Sequence, residues 1–311
     1  MAAQTPSSEL DQGWAWSQSH GFLARWRRTL VRFARTQPLG TAGVVVIAVL
    51  LFLAVFAGQV NTEDPTEFGA DILADPGADH WFGTNRNGQD VWSRVVYGAR
   101  PALQIGVGSV AVSLLVATIL ALLAGYFGGL VDTAISRLID VFICLPAILW
   151  ALILKTAATD IPGLGGHPVR TLIFAISIGL IPIIARILRG NVIQESSRPY
   201  VESARVIGAN EFRIMFTHIL PNLSPLMIVV ASATLPAAIL AESGLSFIGL
   251  GLESGEASWG TDLGGQNRAL FRTYWWLPVF PGIALSLAVL AFNLLGDSLR
   301  DTLDPRLRGV R

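Results

Sequence analysis

The chain has 311 residues, of which 52% are hydrophobic and only 14% charged, with 22 basic and 22 acidic residues and a mean hydropathy of +0.55. A soluble domain carries roughly one quarter charged residues, so this composition argues against an ordinary soluble fold and directs attention to long apolar blocks. The zero formal net charge by itself argues neither for nor against nucleic acid, and no nucleic-acid partner is expected; the single cysteine, Cys144, excludes an internal disulfide or a cysteine metal site.

Residues 1–38 read as a polar N-terminal segment that closes on a basic stretch, Arg25, Arg27, Arg28, Arg32 and Arg35. The apolar block that follows is too long for a signal-peptide core and has no fitting cleavage site, so a retained first span is expected over 39–58. Five further blocks approach the ~20 residues needed to cross a bilayer. They run from about Ala102 to Ala124, Arg137 to Lys155, Val169 to Ile187, Leu226 to Ala241 and Leu277 to Gly296. Each must be helical, because lipid offers no partner to backbone N–H and C=O groups. The expected fold is an all-α, multi-pass integral membrane protein with six transmembrane helices. With both termini cytosolic, fifteen of the 22 basic residues lie inside and seven outside, as the positive-inside rule asks.

Three segments then lie outside the bilayer. An external loop is expected over 59–101, acidic at first (Glu63, Asp64, Glu67, Asp71, Asp75, Asp79), and a transmembrane domain over 102–299. A cytosolic loop covers 188–223, and a glycine- and tryptophan-rich external loop runs from about Leu250 to Trp276, with Trp275 and Trp276 at the interface. The last segment, 300–311, is a cytosolic tail.

The cytosolic loop predicts two short helices with a turn. Ser196 and Ser197 offer a cap, Pro199 suits a first helical turn, and Val201, Ala204, Ile207 and Gly208 are assigned to one face. Gly208 can end the helix in a left-handed conformation. Asn210 can cap a second helix, striped by Phe212, Met215, Phe216 and Ile219 and limited by Pro221. Such a hairpin is too polar for the bilayer and too apolar to stand free, which points to docking against another protein.

The same stretch resembles the cytosolic Glu-Ala-Ala motif of bacterial ATP-binding-cassette (ABC) importer permeases. Glu202, Ser203 and Ala204 fill the triplet, Gly208 the glycine, and Leu220-Pro221 the end; Ser203 and His218 depart mildly from the pattern. The run from His80 to Arg94 is similar to the external signature of dipeptide, oligopeptide and nickel permeases, with Gly83, Thr84, Gly88, Asp90, Ser93 and Arg94 in place. Asn85 and Gln89 stand where that signature typically has Asp and Arg. Ala124-Gly-Tyr-Phe-Gly-Gly129, Leu245-Ser-Phe-Ile-Gly-Leu-Gly251, Ser258-Trp-Gly260 and the run from Asn293 to Arg306 follow in order, the last resembling the C-type subunit of these importers.

The resemblance implies a type I ABC importer permease in the bacterial plasma membrane, translocating dipeptides, oligopeptides or a related small solute. It implies a second homologous permease, two cytosolic ATPase subunits that hold the ATP and Mg, an extracytoplasmic solute-binding protein, and surrounding lipid. This chain itself would carry no cofactor. The ATPase-coupling role falls on Tyr200, Val201, Glu202, Ser203, Ala204, Arg205, Ile207, Gly208, Ala209, Leu220 and Pro221.

Other residues carry competing readings. Asp140 and Arg137, three apart at the inner end of the third span, are expected to pair. Glu242, near the outer end of the fifth, is a candidate for the solute path or a partner contact. His20, His80, His167 and His218 lie on four different segments without metal-ligand spacing. No catalytic residue is expected: Gly244-Leu-Ser-Phe247 is not a hydrolase elbow, and no nucleotide-binding loop is present. The rival class is an ion- or proton-coupled secondary transporter or a channel subunit. It leaves the cytosolic hairpin without a task, and the spans show neither buried midplane charge nor an inverted repeat.

Overall fold

The apolar blocks become long helices that pack side by side. The structure, a computed structural model, describes residues 36–61, 63–157, 166–252 and 255–303. The N-terminal basic cluster, His20 and the end of the Asn293–Arg306 run lie outside these described residues.

The elements in chain order are α1 (Pro38–Val60), α2 (Val91–Phe127), α3 (Gly129–Ile143), α4 (Ala147–Ala157), α5 (Pro168–Ser196) and the short α6 (Pro199–Val206). They continue with α7 (Glu211–Phe247), the five-residue α8 (Trp259–Leu263), a 3-10 turn over Gly265–Leu270 and α9 (Trp276–Leu303). Five of these, α1, α2, α5, α7 and α9, are long and apolar enough to cross a membrane. The remaining crossing is broken: α3 and α4 meet at 87°, where Pro146 interrupts the helical hydrogen bonds. Its two ends reach opposite faces of the bundle. Next to the start of α3, Tyr126 touches Glu211 at the foot of α7, whereas Lys155 on α4 donates to the Gly251 carbonyl, beyond the other end of α7, at 2.8 Å. Read as one crossing, the pair brings the described residues to as many as six.

Several helices outrun their apolar blocks. α2 begins at Val91, eleven residues before the expected Ala102. Its extra turns carry Ser93, Arg94 and Arg100, polar groups that a hydropathy reading assigns to a loop but that find partners in the folded chain. Arg100 donates to the carbonyls of Ala54 at 2.5 Å and Val55 at 3.2 Å, beside the kink at Phe56 in α1. α7 likewise starts at Glu211 and runs straight through Pro221, which the sequence reading takes as a limit. Proline removes an N–H and crowds the preceding turn. Here the helix widens into a six-residue π segment, Ile214–Ile219, just before it, and the Leu220 N–H reaches back five residues to Met215. The second helix of the predicted hairpin is thus the foot of a span.

The central crossing is α2 against α5. Small residues let the backbones approach, and serines stitch them together: Ser113 Oγ donates to the Ser177 carbonyl and Ser177 Oγ to the Ser109 carbonyl, each at 3.1 Å. Farther along, a Cβ on Gly125 would stand 2.7 Å from Val192 and 3.1 Å from the Arg189 carbonyl. Around this pair a core of Ile105, Leu172, Ile184, Leu188, Ile214 and Leu245 closes against α4 and α7, and a second cluster joins α1 and α9 through Leu50, Ile239 and Phe292. On α3, Asp140 lies 3.9 Å from Arg137 as expected, but its nearer partner is Arg186 of α5.

Gly125→Val is expected to destabilise the bundle by about 1–3 kcal/mol, the usual cost of overpacking a tight interface. Thermal unfolding of the detergent-solubilised protein measures it, and a variant as stable as the parent contradicts the close approach.

Candidate functional site

Opposite faces of the bundle carry the two segments singled out by sequence, and they are built in contrasting ways. One face holds the α5–α6–α7 hairpin, the other a cap made from 63–90 and 255–270.

On the hairpin face, α5 ends as Ser196 and Ser197 turn their hydroxyls back onto the Val192 and Ile193 carbonyls at 2.5 and 3.1 Å. They are not the cap of α6; Arg198 takes that position with extended backbone, and Pro199 opens the helix. Gly208 closes it at φ +81. The Ala209 N–H then reaches the Ala204 carbonyl and the Gly208 N–H the Arg205 carbonyl, both at 3.0 Å, the paired bonds of a left-handed helix stop. Asn210 caps α7 by accepting from the Phe212 N–H at 3.1 Å.

Val201 and Ala204 are buried in the same core as Ile214, Met215 and Ile219. Ile207 is not: it is 84% exposed, as Val206 is 82%. Six residues on from Val201 it has rotated about 240° around the helix, away from the packed face. Phe212 and Phe216 also stand out, at 61% and 52% exposure, while Glu202, Ser203, Arg205 and Pro221 face solvent and Leu220 and Ala209 are half-buried. The tip of the hairpin is therefore apolar, charged and open. Behind it, Tyr200 Oη donates to Glu195 at 2.9 Å and accepts from Asn222 at 3.1 Å. Burial, and then the bond to Glu195, push this phenol above its ordinary value.

On the opposite face every signature residue is used. Gly83 (φ +72) lies beneath Trp276, whose indole N–H donates to the Thr84 carbonyl at 3.2 Å. Thr84 Oγ1 bonds the Asp71 carbonyl and accepts from the Ala74 N–H, and Gly88 is pressed against the Gly69 backbone. Asp90 caps α2 by accepting from the Ser93 N–H at 2.8 Å, and Ser93 Oγ accepts from the Glu63 N–H at 3.1 Å. His80 Nδ1 lies 3.4 Å from the buried Asp90 carboxylate.

Arg94 sits at the centre, 3% exposed. Its Nε donates to Asp262 at 2.7 Å, Nη1 to the Pro65 carbonyl at 2.9 Å and to Gln89 and the Gly255 carbonyl at 3.2 Å, and Nη2 to the Glu256 carbonyl at 3.1 Å. Burial pushes the Asp262 carboxyl above the usual range, and the attraction of Arg94 opposes that shift. The two departures from the typical signature touch each other: Asn85 Nδ2 donates to Gln89 Oε1 at 2.9 Å.

Glu242 is turned inward. It is 1% exposed and its carboxylate accepts from Ser246 at 2.8 Å, Ser258 at 2.9 Å and Ser243 at 3.1 Å. Within this chain it is enclosed by α7 and the segment that carries Ser258. Sequence reasoning missed Asp262, and it gave no role to Ser258 or to Trp259, whose indole N–H bonds the Val95 carbonyl at 2.9 Å. Their only signal is the compact Ser-Trp-Gly motif. Among the described residues no three His, Cys, Asp or Glu side chains converge to hold a metal ion.

The described residues form a multi-pass helical bundle with a hydrogen-bonded cap on one face and an exposed hairpin on the other. Residues 117–309 match the family described as binding-protein-dependent transport system inner membrane component. The chain is 35% identical to the dipeptide transport system permease protein DppC of Alkalihalophilus pseudofirmus, over 92% of this chain and 91% of that one. It is 38% identical to the glutathione transport system permease protein GsiD of Pectobacterium atrosepticum, over 91% and 92%. With the oligopeptide transport system permease protein OppC of Bacillus subtilis it shares 34%, over 92% and 91%. The chain belongs to this family of inner-membrane ABC importer permeases, in the branch of the C-type peptide permeases, and the secondary-transporter reading falls.

Arg94→Ala is expected to cost about 3–5 kcal/mol, because it strands the Asp262 carboxylate in a buried site. Adding Asp262→Ala recovers part of that loss. Thermal unfolding in detergent reads both, and an additive double variant contradicts the pairing.

Proposed function

We propose that this chain moves short peptides across the bacterial plasma membrane as one of two unlike permease subunits. Two cytosolic ATPase subunits, which bind ATP and Mg, drive it, and an extracytoplasmic solute-binding protein delivers the cargo. The hairpin face and both termini are cytosolic, and the cap face is external.

The observation that carries the reading is the tip of α6 and the foot of α7. Val206, Ile207, Phe212 and Phe216 are exposed together beside Glu202 and Arg205. A short helix whose inner side is packed and whose outer side is apolar fits a cleft in a protein partner. ATP-driven closure of the ATPases would move that cleft and carry α6 with it. Gly208 matters through its backbone: a Cβ there would meet nothing within 4 Å, but φ is +81, a conformation costing an L-residue about 1 kcal/mol or more.

The second permease is supported by the broken span. Cys144, Leu145 and Pro146 are exposed at the α3–α4 bend, between Asp140 and Lys155. Irregular backbone at that depth is tolerated only against protein or along a water-filled cavity. A partner subunit, with the path between the two, meets that need. Peptide cargo follows from what the relatives are named for; the residues of the spans do not select it.

In a Cys144→Ser background, an impermeant thiol reagent on intact cells should label a cysteine at Ala70 and spare one at Gly208; the reverse pattern inverts the topology. In the assembled transporter, Glu202→Lys and Gly208→Trp should leave membrane insertion intact and abolish peptide uptake. Loss of ATPase copurification or uncoupled hydrolysis should accompany it, and normal uptake in both variants would falsify the coupling role.

A further inference from the structure

Beyond the close approach at Gly125, the Ala124–Gly129 motif has no task in the account above, yet it meets α5, α6 and α7. Gly125 sets the close approach of α2 to Val192 on α5. Gly128 and Gly129, at φ +65 and +52, reverse the chain into α3. There Asp132 takes both Nε and Nη2 of Arg189 on α5, the second at 2.5 Å. Between these glycines stands Tyr126, at the last turn of α2. Its hydroxyl donates to Glu211, the first residue of α7, and accepts from Arg205 Nη2, in the last turn of α6, at 3.3 Å. The Arg205 guanidinium also lies 5.7 Å from the centre of the ring. At the opposite end of α6, Tyr200 links Glu195 on α5 to Asn222 on α7.

We infer that Tyr126 is a positioning residue of the coupling step: with Tyr200 it clamps both ends of α6 to the inner ends of α2, α5 and α7, so that a displacement imposed on the hairpin tip moves those spans as one body. The inference rests on reading α6 as the ATPase-coupling helix.

The physical case begins with α6 itself. It is eight residues long and buries only Val201 and Ala204. Helices of this length have little stability of their own, and two small apolar contacts leave such a helix free to rock on its long axis. A load applied at Val206 and Ile207 would then be absorbed locally. The two tyrosines remove that freedom with directional bonds at opposite ends. A hydroxyl suits the Tyr126 position because it accepts from the cation of Arg205 and donates to the carboxylate of Glu211 at once. Phenylalanine keeps the ring beneath Arg205 and loses both bonds. The α2 end held by Tyr126 is in turn fixed to α5 by Gly125 and, through α3, by the Asp132–Arg189 pair. Movement entering at α6 therefore reaches the central α2–α5 crossing without first bending α7.

The test uses the complete transporter, with its partner permease, ATPases and binding protein, reconstituted in liposomes with a dipeptide as cargo. In Tyr126→Phe, the ATPases should copurify as in the parent and ATP hydrolysis should persist. The ATP consumed per peptide taken up should rise roughly tenfold, the scale set by one charge-assisted hydrogen bond. Glu211→Ala should raise the ratio similarly, and the double variant should be no worse than either single one. An unchanged ratio in Tyr126→Phe overturns the inference, and so does loss of the ATPases, which would make the residue part of the docking surface instead. Glu202→Lys in the same assay separates the two levels. If it transports normally, the coupling-helix reading fails; if it abolishes uptake while Tyr126→Phe leaves the ratio unchanged, only the clamp fails.

Discussion

A bilayer offers no hydrogen-bond partner to the peptide backbone, and most of this architecture follows from that constraint. Each crossing is helical, and each interruption is compensated nearby. Pro221 is accommodated by the π segment before it. At the Phe56 kink, Arg100 takes two carbonyls of α1. The serines at 109, 113 and 177 turn their hydroxyls onto helix carbonyls, so the closest crossing has no stranded polar group. At the α3–α4 bend the Trp150 indole N–H takes, at 2.8 Å, the Phe142 carbonyl that the missing N–H of Pro146 leaves free.

The two faces solve opposite problems with the same kinds of residue. The cap is closed: Arg94 makes four hydrogen bonds to loop residues and a fifth to Asp262 on α8, which balances its charge. Its parts are far apart in sequence, and these buried polar contacts hold them together with an apolar cluster in which Leu73 and Phe82 pack around Val91, Trp276 and Leu277. The hairpin is open: its inner side is packed and its outer apolar residues are left to solvent. Behind that tip the Tyr126 and Tyr200 hydroxyls bond α6 and its neighbours α2, α5 and α7 to one another.

Much of this was legible from the chain. Apolar length gave the spans, and glycine and proline at fixed offsets placed α6 and its left-handed end at Gly208. What was not legible has identifiable causes. The early start of α2 hid because Ser93, Arg94 and Arg100 read as loop residues until their partners are known. Arg94 and Asp262 lie 168 residues apart, and no local pattern links them. Glu242 reads as a costly carboxylate in a span, and of the three serine hydroxyls that meet it, Ser258 lies on another segment where no local pattern reveals it. Ile207 was placed on the packed face although its offset from Val201 carries it around the helix.

Asn85 and Gln89 show how sequence and structure complete each other. As isolated departures from the signature they read as two losses of charge. In the fold they are one exchange, an amide pair donating and accepting across 2.9 Å, with Gln89 Oε1 also receiving Arg94 at 3.2 Å. An Asp and an Arg at these positions would bring a further ion pair into a site that is already dry, with the new cation beside Arg94. Desolvating that pair costs more than the attraction returns unless every remaining donor and acceptor is met. Two amides supply hydrogen bonds without the charges, and the Arg94–Asp262 pair remains the only ion pair that the described residues of this cap must bury from end to end.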